Sequence, residues 1–299
     1  MANARVILKR RGTIRNIRKI TRTMEMVATA RFKKIHDQAL AARAYTRRIG
    51  QLAADLSRVV GESIDNPLLA HHPDAPQDAL IVLTSNRGMC GGYNSSIMRR
   101  AMEELHHQAG HRKVDVYAVG KKATGYLNFH RVPLASTRLQ FEGQPQFQEV
   151  TEIADSLMDR FTAGQLRMVQ VCYMQFLSVG VQRPALLTLL PMDGLGLAGE
   201  MEITREEAQH AGPTAQYEFL PDPASLVNDL LPRAVRARLF QCFLDAMVSE
   251  QVSRMTAMRL ATENAETMIR ELTMQYNRAR QSSITTELAE IMSGAEALK

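Results

Sequence analysis

The 299-residue chain contains no Trp, and Phe, Tyr and Trp together make up only 5% of it. It has three cysteines, Cys90, Cys172 and Cys242, widely spaced and odd in number. That count excludes a disulfide framework and a paired-Cys zinc site, and suits inert thiols in a reducing compartment. His71 with His72, and His106, His107 and His111, are the only His clusters. Gly110 interrupts the i, i+4 pair His107 and His111, so no metal centre is expected. No apolar run approaches the twenty or so residues of a membrane span, and no signal-peptide core follows the N-terminal charges. Membrane association is therefore expected to go through partners.

Glycine and proline are also missing from two long stretches, Arg233 to Ser293 and Thr13 to Ile49. Both are rich in Met, Ala, Leu, Glu and Arg, which favours helix throughout. At 1.5 Å per residue the C-terminal stretch alone makes a rod about 90 Å long. A rod of that length needs a partner, and its pattern indicates which kind. Val248, Val252, Met255, Met258, Thr262, Ala265, Ile269, Leu272, Tyr276 and Ala279 follow at steps of three and four, the seam of a left-handed coiled coil.

The N-terminal stretch carries a heptad of its own through Ile14, Ile17, Thr21, Met24, Ala28, Arg31, Ile35, Gln38, Ala42, Tyr45, Ile49, Leu52, Leu56 and Val59. The economical arrangement pairs the two ends of the chain antiparallel. Partner numbers should then add to about 282, with Met24 facing Met258. Residues after about 281 are left as a lone helix of about 18 residues, some 27 Å long, whose Ile284, Leu288 and Ile291 stripe needs cover.

Between the helices the period changes. Leu69 to Asp78, with Pro73 and Pro76, reads as a linker. Leu80–Thr84, Val114–Val119, Met168–Phe176 and Ala185–Leu190 read as strands, the last two as a hairpin. Ser95–Gln108, Lys121–Leu127 and Glu149–Phe161 read as helices. Alternation of this kind predicts an α/β, Rossmann-like sheet covered on both faces. Thr204 with Glu207 and Asp222 with Pro223 read as starts of further helices. The expected organisation is an N-terminal coiled-coil helix over 1–61, an inserted α/β domain over 78–192, a loop and short helix over 193–221, and a C-terminal coiled-coil helix over 222–299.

Charge is uneven. Residues 1–48 hold fourteen Lys and Arg against Glu25 and Asp37, a net +12, so with a total of +6 the remainder carries −6. Such an arm suits nucleic acid, a transit peptide or an acidic protein partner, and charge does not choose among them.

The chemistry-bearing motifs are weak. Gly194-Leu195-Gly196-Leu197-Ala198-Gly199 has dinucleotide-fingerprint spacing but follows the last strand, where no helix N-terminus can meet a pyrophosphate. Gly120-Lys121-Lys122 lacks the upstream Gly and the Ser or Thr of a P-loop. No Ser, His and acidic constellation stands out. Thr84 to Asn94 lies at the carboxyl end of the first strand, where α/β domains carry function. Its three glycines either admit a ligand to the backbone or make a tight turn with Asn94 as N-cap.

Three segments resemble the gamma subunit of the proton-translocating rotary ATP synthase. They are Lys19-Ile20-Thr21-Arg22-Thr23-Met24-Glu25-Met26-Val27-Ala28, Thr84 to Asn94, and a set from Ser249-Glu250-Gln251 through Tyr276-Asn277 and Ala279-Arg280-Gln281 to Ser293-Gly294. Gly12, Thr13 and Asn86 depart from the family pattern. The resemblance implies a non-catalytic shaft without cofactor, metal or small-molecule substrate and without nucleic acid. It further implies that the shaft turns inside a ring of alpha and beta subunits beside epsilon, delta and the membrane c-ring, on the cytoplasmic face of a bacterial inner membrane. It places rotor contacts at Met24, Arg31, Lys33, Lys34, Arg87, Cys90, Arg254, Gln281, Thr285 and Glu287. The seam positions it would share are Ile17, Met24, Ala28, Ile35, Val252, Met255, Met258, Ala265, Ile269 and Leu272.

Overall fold

A computed structural model describes residues 4–60, 66–108, 112–138, 145–192 and 223–296. Two helices dominate it, α1 (Ala4–Val60) and α5 (Pro223–Glu296), of 57 and 74 residues. Between them, in chain order, lie β1 (Gln77–Leu83), α2 (Tyr93–Gln108), β2 (Lys113–Val119), α3 (Lys121–Phe129), β3 (Leu134–Arg138), α4 (Phe147–Thr162), β4 (Leu166–Phe176) and β5 (Gln182–Leu190). The Gly194–Gly199 run and the Thr204 and Asp222 caps lie outside the described residues.

The five strands form one sheet in the order β3-β2-β1-β4-β5. β1 pairs parallel with β2 and with β4, β2 pairs parallel with β3, and β4 turns back antiparallel on β5. The first two crossovers step in one direction and the third steps back past β1. Right-handed crossovers therefore put α2 and α3 on one face and α4 on the other. β1 is buried along nearly its whole length, as a central strand covered on both faces must be. Alternate residues then serve opposite cores. Leu80 and Val82, with Cys172 and Met174, pack against Ile97, Met98 and Ala101 of α2 and Leu127 of α3. Ala79, Ile81 and Leu83, with Val169 and Val171, pack against Ile153, Leu157 and Phe161 of α4 and Leu231, Val235 and Leu239 of α5. The alternation Leu166–Phe176 with Gln182–Leu190 is the expected hairpin, while β3 is an edge strand that periodicity did not single out.

The chain divides into two compact units, Met1–Ala30 with Ser253–Lys299, and Arg31–Val252. In the first, Ile7, Thr21 and Ala28 of α1 are buried, as are Met258, Thr262, Ala265 and Leu272 of α5, with Ile14, Met255, Ile269, Tyr276 and Ala279 half-buried. Thr21 meets Thr262, one residue from the expected register. Beside the seam Arg18 pairs with Glu266 at 3.7 Å and the Arg11 guanidinium lies over the Tyr276 ring at 5.2 Å. In the second unit, the sheet domain is joined by Ile35 and Ala39 of α1 and by Leu244, Val248 and Val252 of α5, which enclose Phe176 at the end of β4.

The α1 seam departs from expectation at several of its alternate positions. Positions 14, 21, 28, 35 and 49 turn inward, and Met24 and Ala42 are half-buried. Arg18, Phe32, Ala39 and Thr46 turn inward in place of the exposed Ile17, Arg31, Gln38 and Tyr45, Glu25 shares its turn with Met24, and Leu52 is exposed. Ile17 is 43% exposed and Tyr45 54%. A heptad leaves the companion position free to fall three or four residues on. Hydrophobicity favoured the first choice, whereas small Ala39 and Thr46 and the long stem of Arg18 suit a close-packed seam.

Candidate functional site

Two surfaces were candidates, the Thr84–Asn94 turn and the outer faces of the long helices. The turn closes on itself. Ser85 N–H donates to Asn94 Oδ1 at 3.0 Å, Asn94 Nδ2 donates to Ser85 Oγ at 2.8 Å and to Cys90 Sγ at 3.1 Å, and Ser85 Oγ donates to Arg87 O at 2.7 Å. Asn94 is thus not the expected N-cap of α2, which begins at Tyr93; its side chain holds the turn's entry instead. Thr84 Oγ1 donates to Val119 O at 3.1 Å and accepts from Ala123 N–H at 2.8 Å, joining the ends of β1 and β2 to α3. Asn86 Oδ1 accepts the Lys121 N–H at 2.9 Å. The departure at Asn86 therefore keeps an acceptor where it is used. Of the two readings of the glycines, the geometry favours the turn: Gly91 has φ 56, and the Ser85 and Asn94 side chains bond within the turn.

The cysteines are all buried, and burial pushes the Cys172 thiol up to about 12. That leaves no activated thiolate there. Among the described residues no group of three or more His, Cys, Asp and Glu could hold a metal ion, and no helix is long and apolar enough to cross a membrane.

The expected rotor contacts divide sharply. Arg31, Lys33, Lys34, Arg87, Gln281, Thr285 and Glu287 are exposed and Met24 is half-buried. Cys90 and Arg254 are buried in the chain by itself, 2% and 8% exposed, Cys90 in the core of its turn and Arg254 on a buried face of α5. Ile17, expected in the seam, joins Ile20 and Val27 in a second apolar stripe on the outside of α1, 43%, 59% and 47% exposed. Its steps of three and seven were visible in the sequence, but were absorbed into the seam.

The C-terminal end of α5 is the other open surface. Every residue from Gln281 to Ala295 is exposed. Ile284, Leu288, Ile291 and Met292 recur at i, i+4, i+7 and i+8, a stripe that a free helix in water has no means to bury. Thr285 Oγ1 donates to Gln281 O at 3.0 Å and Ser283 Oγ to Glu287 Oε1 at 3.2 Å, so the tip's polar groups turn to their own helix.

Two long helices, one at each end of the chain, with a five-stranded α/β sheet inserted between them in sequence and an apolar stripe exposed on each helix, are the features any relative must share. A sequence model described as ATP synthase matches residues 3–298. The ATP synthase gamma chain of Rhodopirellula baltica is 44% identical over 300 residues, covering all of both chains. That of Synechococcus elongatus is 37% identical over 317 residues, covering all of this chain and 99% of the other. The chain belongs to the ATP synthase gamma-chain family. The same fold occurs in Euglena gracilis mitochondrial ATP synthase, with TM-score 0.63, 18% identity and 99% and 94% coverage of this chain and that one. It occurs again in the central stalk and c-ring structure from Tetrahymena thermophila, with TM-score 0.58, 23% identity and 81% and 99% coverage.

Proposed function

We propose that this chain is a non-catalytic central shaft that turns inside a ring of alpha and beta subunits and couples ion flow through a membrane sector to ATP synthesis or hydrolysis. The observation that carries the reading is the α5 tip: fifteen consecutive exposed residues, 281–295, with one apolar stripe. Burying such side chains is favourable by roughly 1.5–3 kcal/mol each, and a surrounding apolar sleeve supplies that burial while leaving the helix free to rotate. The second stripe at Ile17, Ile20 and Val27 is flanked by Lys19 and Arg22, which suits an acidic, partly apolar lever on the ring. Arg31, Lys33 and Lys34 extend that basic surface, and Met24, Arg87, Gln281, Thr285 and Glu287 complete the contacts assigned to the ring.

The α/β domain, with its self-closed turn, acts as a body that epsilon and the c-ring grip, with delta a further subunit of the complex. Nucleotide chemistry lies with the ring, and no cofactor or nucleic acid is needed. The working place is the cytoplasmic face of a bacterial inner membrane, as a peripheral protein held by its partners.

The test is co-purification followed by truncation. A tagged chain should bring alpha and beta subunits with it, and the pure chain should hydrolyse no ATP. A chain ending at Gln281 should melt at the same temperature alone, yet couple poorly in the complex. Full coupling without the tip, or turnover by the rigorously purified chain, overturns the reading.

A further inference from the structure

We propose that Arg43 is a positioning residue that latches the α/β sheet to both long helices, so that the sheet domain and the helix pair turn as one piece. This rests on the shaft reading above. Arg43 sits on α1. Its Nη2 donates to the Phe176 carbonyl at 2.9 Å, at the last residue of β4, and to Asp245 Oδ1 on α5 at 3.0 Å. One guanidinium nitrogen therefore joins three elements that are far apart in sequence.

The surroundings make the junction rigid. The Asp245 side chain is 7% exposed and its Oδ1 also accepts from Gln241 Nε2 at 2.8 Å. The Phe176 ring meets Phe32 and His36 of α1 at centroid distances of 6.3 and 5.7 Å. Val248 and Leu244 share its buried cluster. A second tie runs alongside, from Ser249 Oγ to the Met174 carbonyl at 3.3 Å.

The apolar cluster around Phe176 resists separation of sheet and helices, but burial is non-directional and opposes sliding or twisting weakly. Charge-assisted bonds in a water-poor setting are directional and are the stronger for being there. The two in-plane N–H bonds of Arg43 Nη2, one to each acceptor, supply the fixed azimuth that aliphatic packing lacks. A lysine ammonium has protons enough for both acceptors but is a freely rotating point charge that does not hold them in one plane. Phe176 is where such a bond matters, because β4 is hydrogen-bonded to both β1 and β5 and passes any constraint into the sheet.

The experiment uses the complete complex in sealed vesicles and measures ATP hydrolysis and ATP-driven ion pumping in one preparation. Arg43→Gln should leave hydrolysis within about twofold while pumping per ATP falls on the order of tenfold, the directional bonds being lost and the apolar packing kept. Arg43→Lys should fall between. Arg167→Gln is the control for simple destabilisation: it breaks a bidentate pair with Asp78 at 3.0 and 2.6 Å that lies wholly within the sheet. It should melt earlier but pump normally per ATP. Wild-type pumping by Arg43→Gln, or an equal loss in Arg167→Gln, overturns the latch. If Arg43→Gln does not assemble, Arg43→Lys and deuterium uptake on the full isolated chain decide: faster exchange at the end of β4 supports the latch, and unchanged exchange refutes it. Failure of the shaft reading is a different result, in which the wild-type chain neither binds the ring nor confers coupling.

Discussion

Thr21 and Thr262 share a buried hydrogen bond of 2.8 Å between their hydroxyls, in a seam whose buried residues nearby include Ala28, Met258, Ala265 and Leu272. Each hydroxyl also reaches its own helix, Thr21 to the Arg18 carbonyl at 3.1 Å and Thr262 to the Met258 carbonyl at 2.8 Å. Two protons serve three contacts, so one hydroxyl donates along its helix while the other donates across. A polar pair beside apolar neighbours matters for register: sliding α1 by a heptad would set both hydroxyls against Ala, Met or Ile side chains.

The consequence is measurable. Thr21→Val leaves Thr262 its own carbonyl, so no buried donor is orphaned and stability should move by less than about 1 kcal/mol. Register specificity should suffer more than stability. Thr21→Cys with Thr262→Cys should oxidise readily, whereas Ile17→Cys with Thr262→Cys should not, because Ile17 points outward. Efficient bridging from position 17 would show that the helices pair in another register.

Much of this arrangement was legible in the sequence, for reasons that also explain what was not. The absence of Gly and Pro between Arg233 and Ser293 and between Thr13 and Ile49 marks both helices, and the exposed end after Gln281 follows from the difference in their lengths. Seam positions seven residues apart stand out because Ile14, Ala28, Ile35 and Ile49 are apolar and small enough, while Ile7, a turn before Gly12, joined them only in the structure. Their companions at Arg18, Glu25 and Thr46 are polar, and only packing against α5 distinguishes them from Ile17 and Tyr45. β3 escaped notice because Leu-Ala-Ser-Thr-Arg is an alternately exposed edge strand with no apolar run. The bonds from Asn94 back to Ser85 and from Arg43 to Asp245 join residues nine and 202 positions apart, and pairs of that kind are set by topology.

Asp245 gives the fold a pH dependence with a definite sign. Burial is the larger influence and raises its pKa above the ordinary carboxylate value, while Arg43 and Gln241 pull the other way. A carboxyl that holds its proton more tightly when folded than when unfolded contributes stability at low pH. That contribution is lost as pH rises from about 3.9 through the raised value. Asp245→Asn removes the titration and keeps an acceptor for Arg43. Across that window the wild-type chain should therefore lose stability relative to Asp245→Asn as pH rises, read as the difference between paired denaturant melts. A difference that grows in favour of the wild type with rising pH contradicts the assignment.

Gly120 and Gly125, five residues apart around α3, should respond to the same substitution in opposite ways. Gly120 has φ 96 and ψ 146, a conformation open almost only to glycine. A Cβ there would lie 2.3 Å from the Thr84 carbonyl oxygen and 2.8 Å from its carbon. Thr84 has no room to yield, since its N–H donates to the Val119 carbonyl at 2.9 Å and its hydroxyl is bonded to Val119 and Ala123. Gly120 N–H in turn donates to the Arg138 carbonyl at 3.0 Å, so retreat of this residue would break β3 from its neighbour. Strain and overlap together should cost Gly120→Ala at least about 3 kcal/mol. Gly125 lies inside α3 with nothing within 4 Å of its missing Cβ. Gly125→Ala should stabilise by roughly 0.5–1 kcal/mol through the unfolded chain's lost freedom. Urea midpoints of the two variants should fall on opposite sides of the wild type; a Gly120→Ala midpoint at or above the wild-type value would mean that the β1 and β2 ends do not close on each other in solution as they do here.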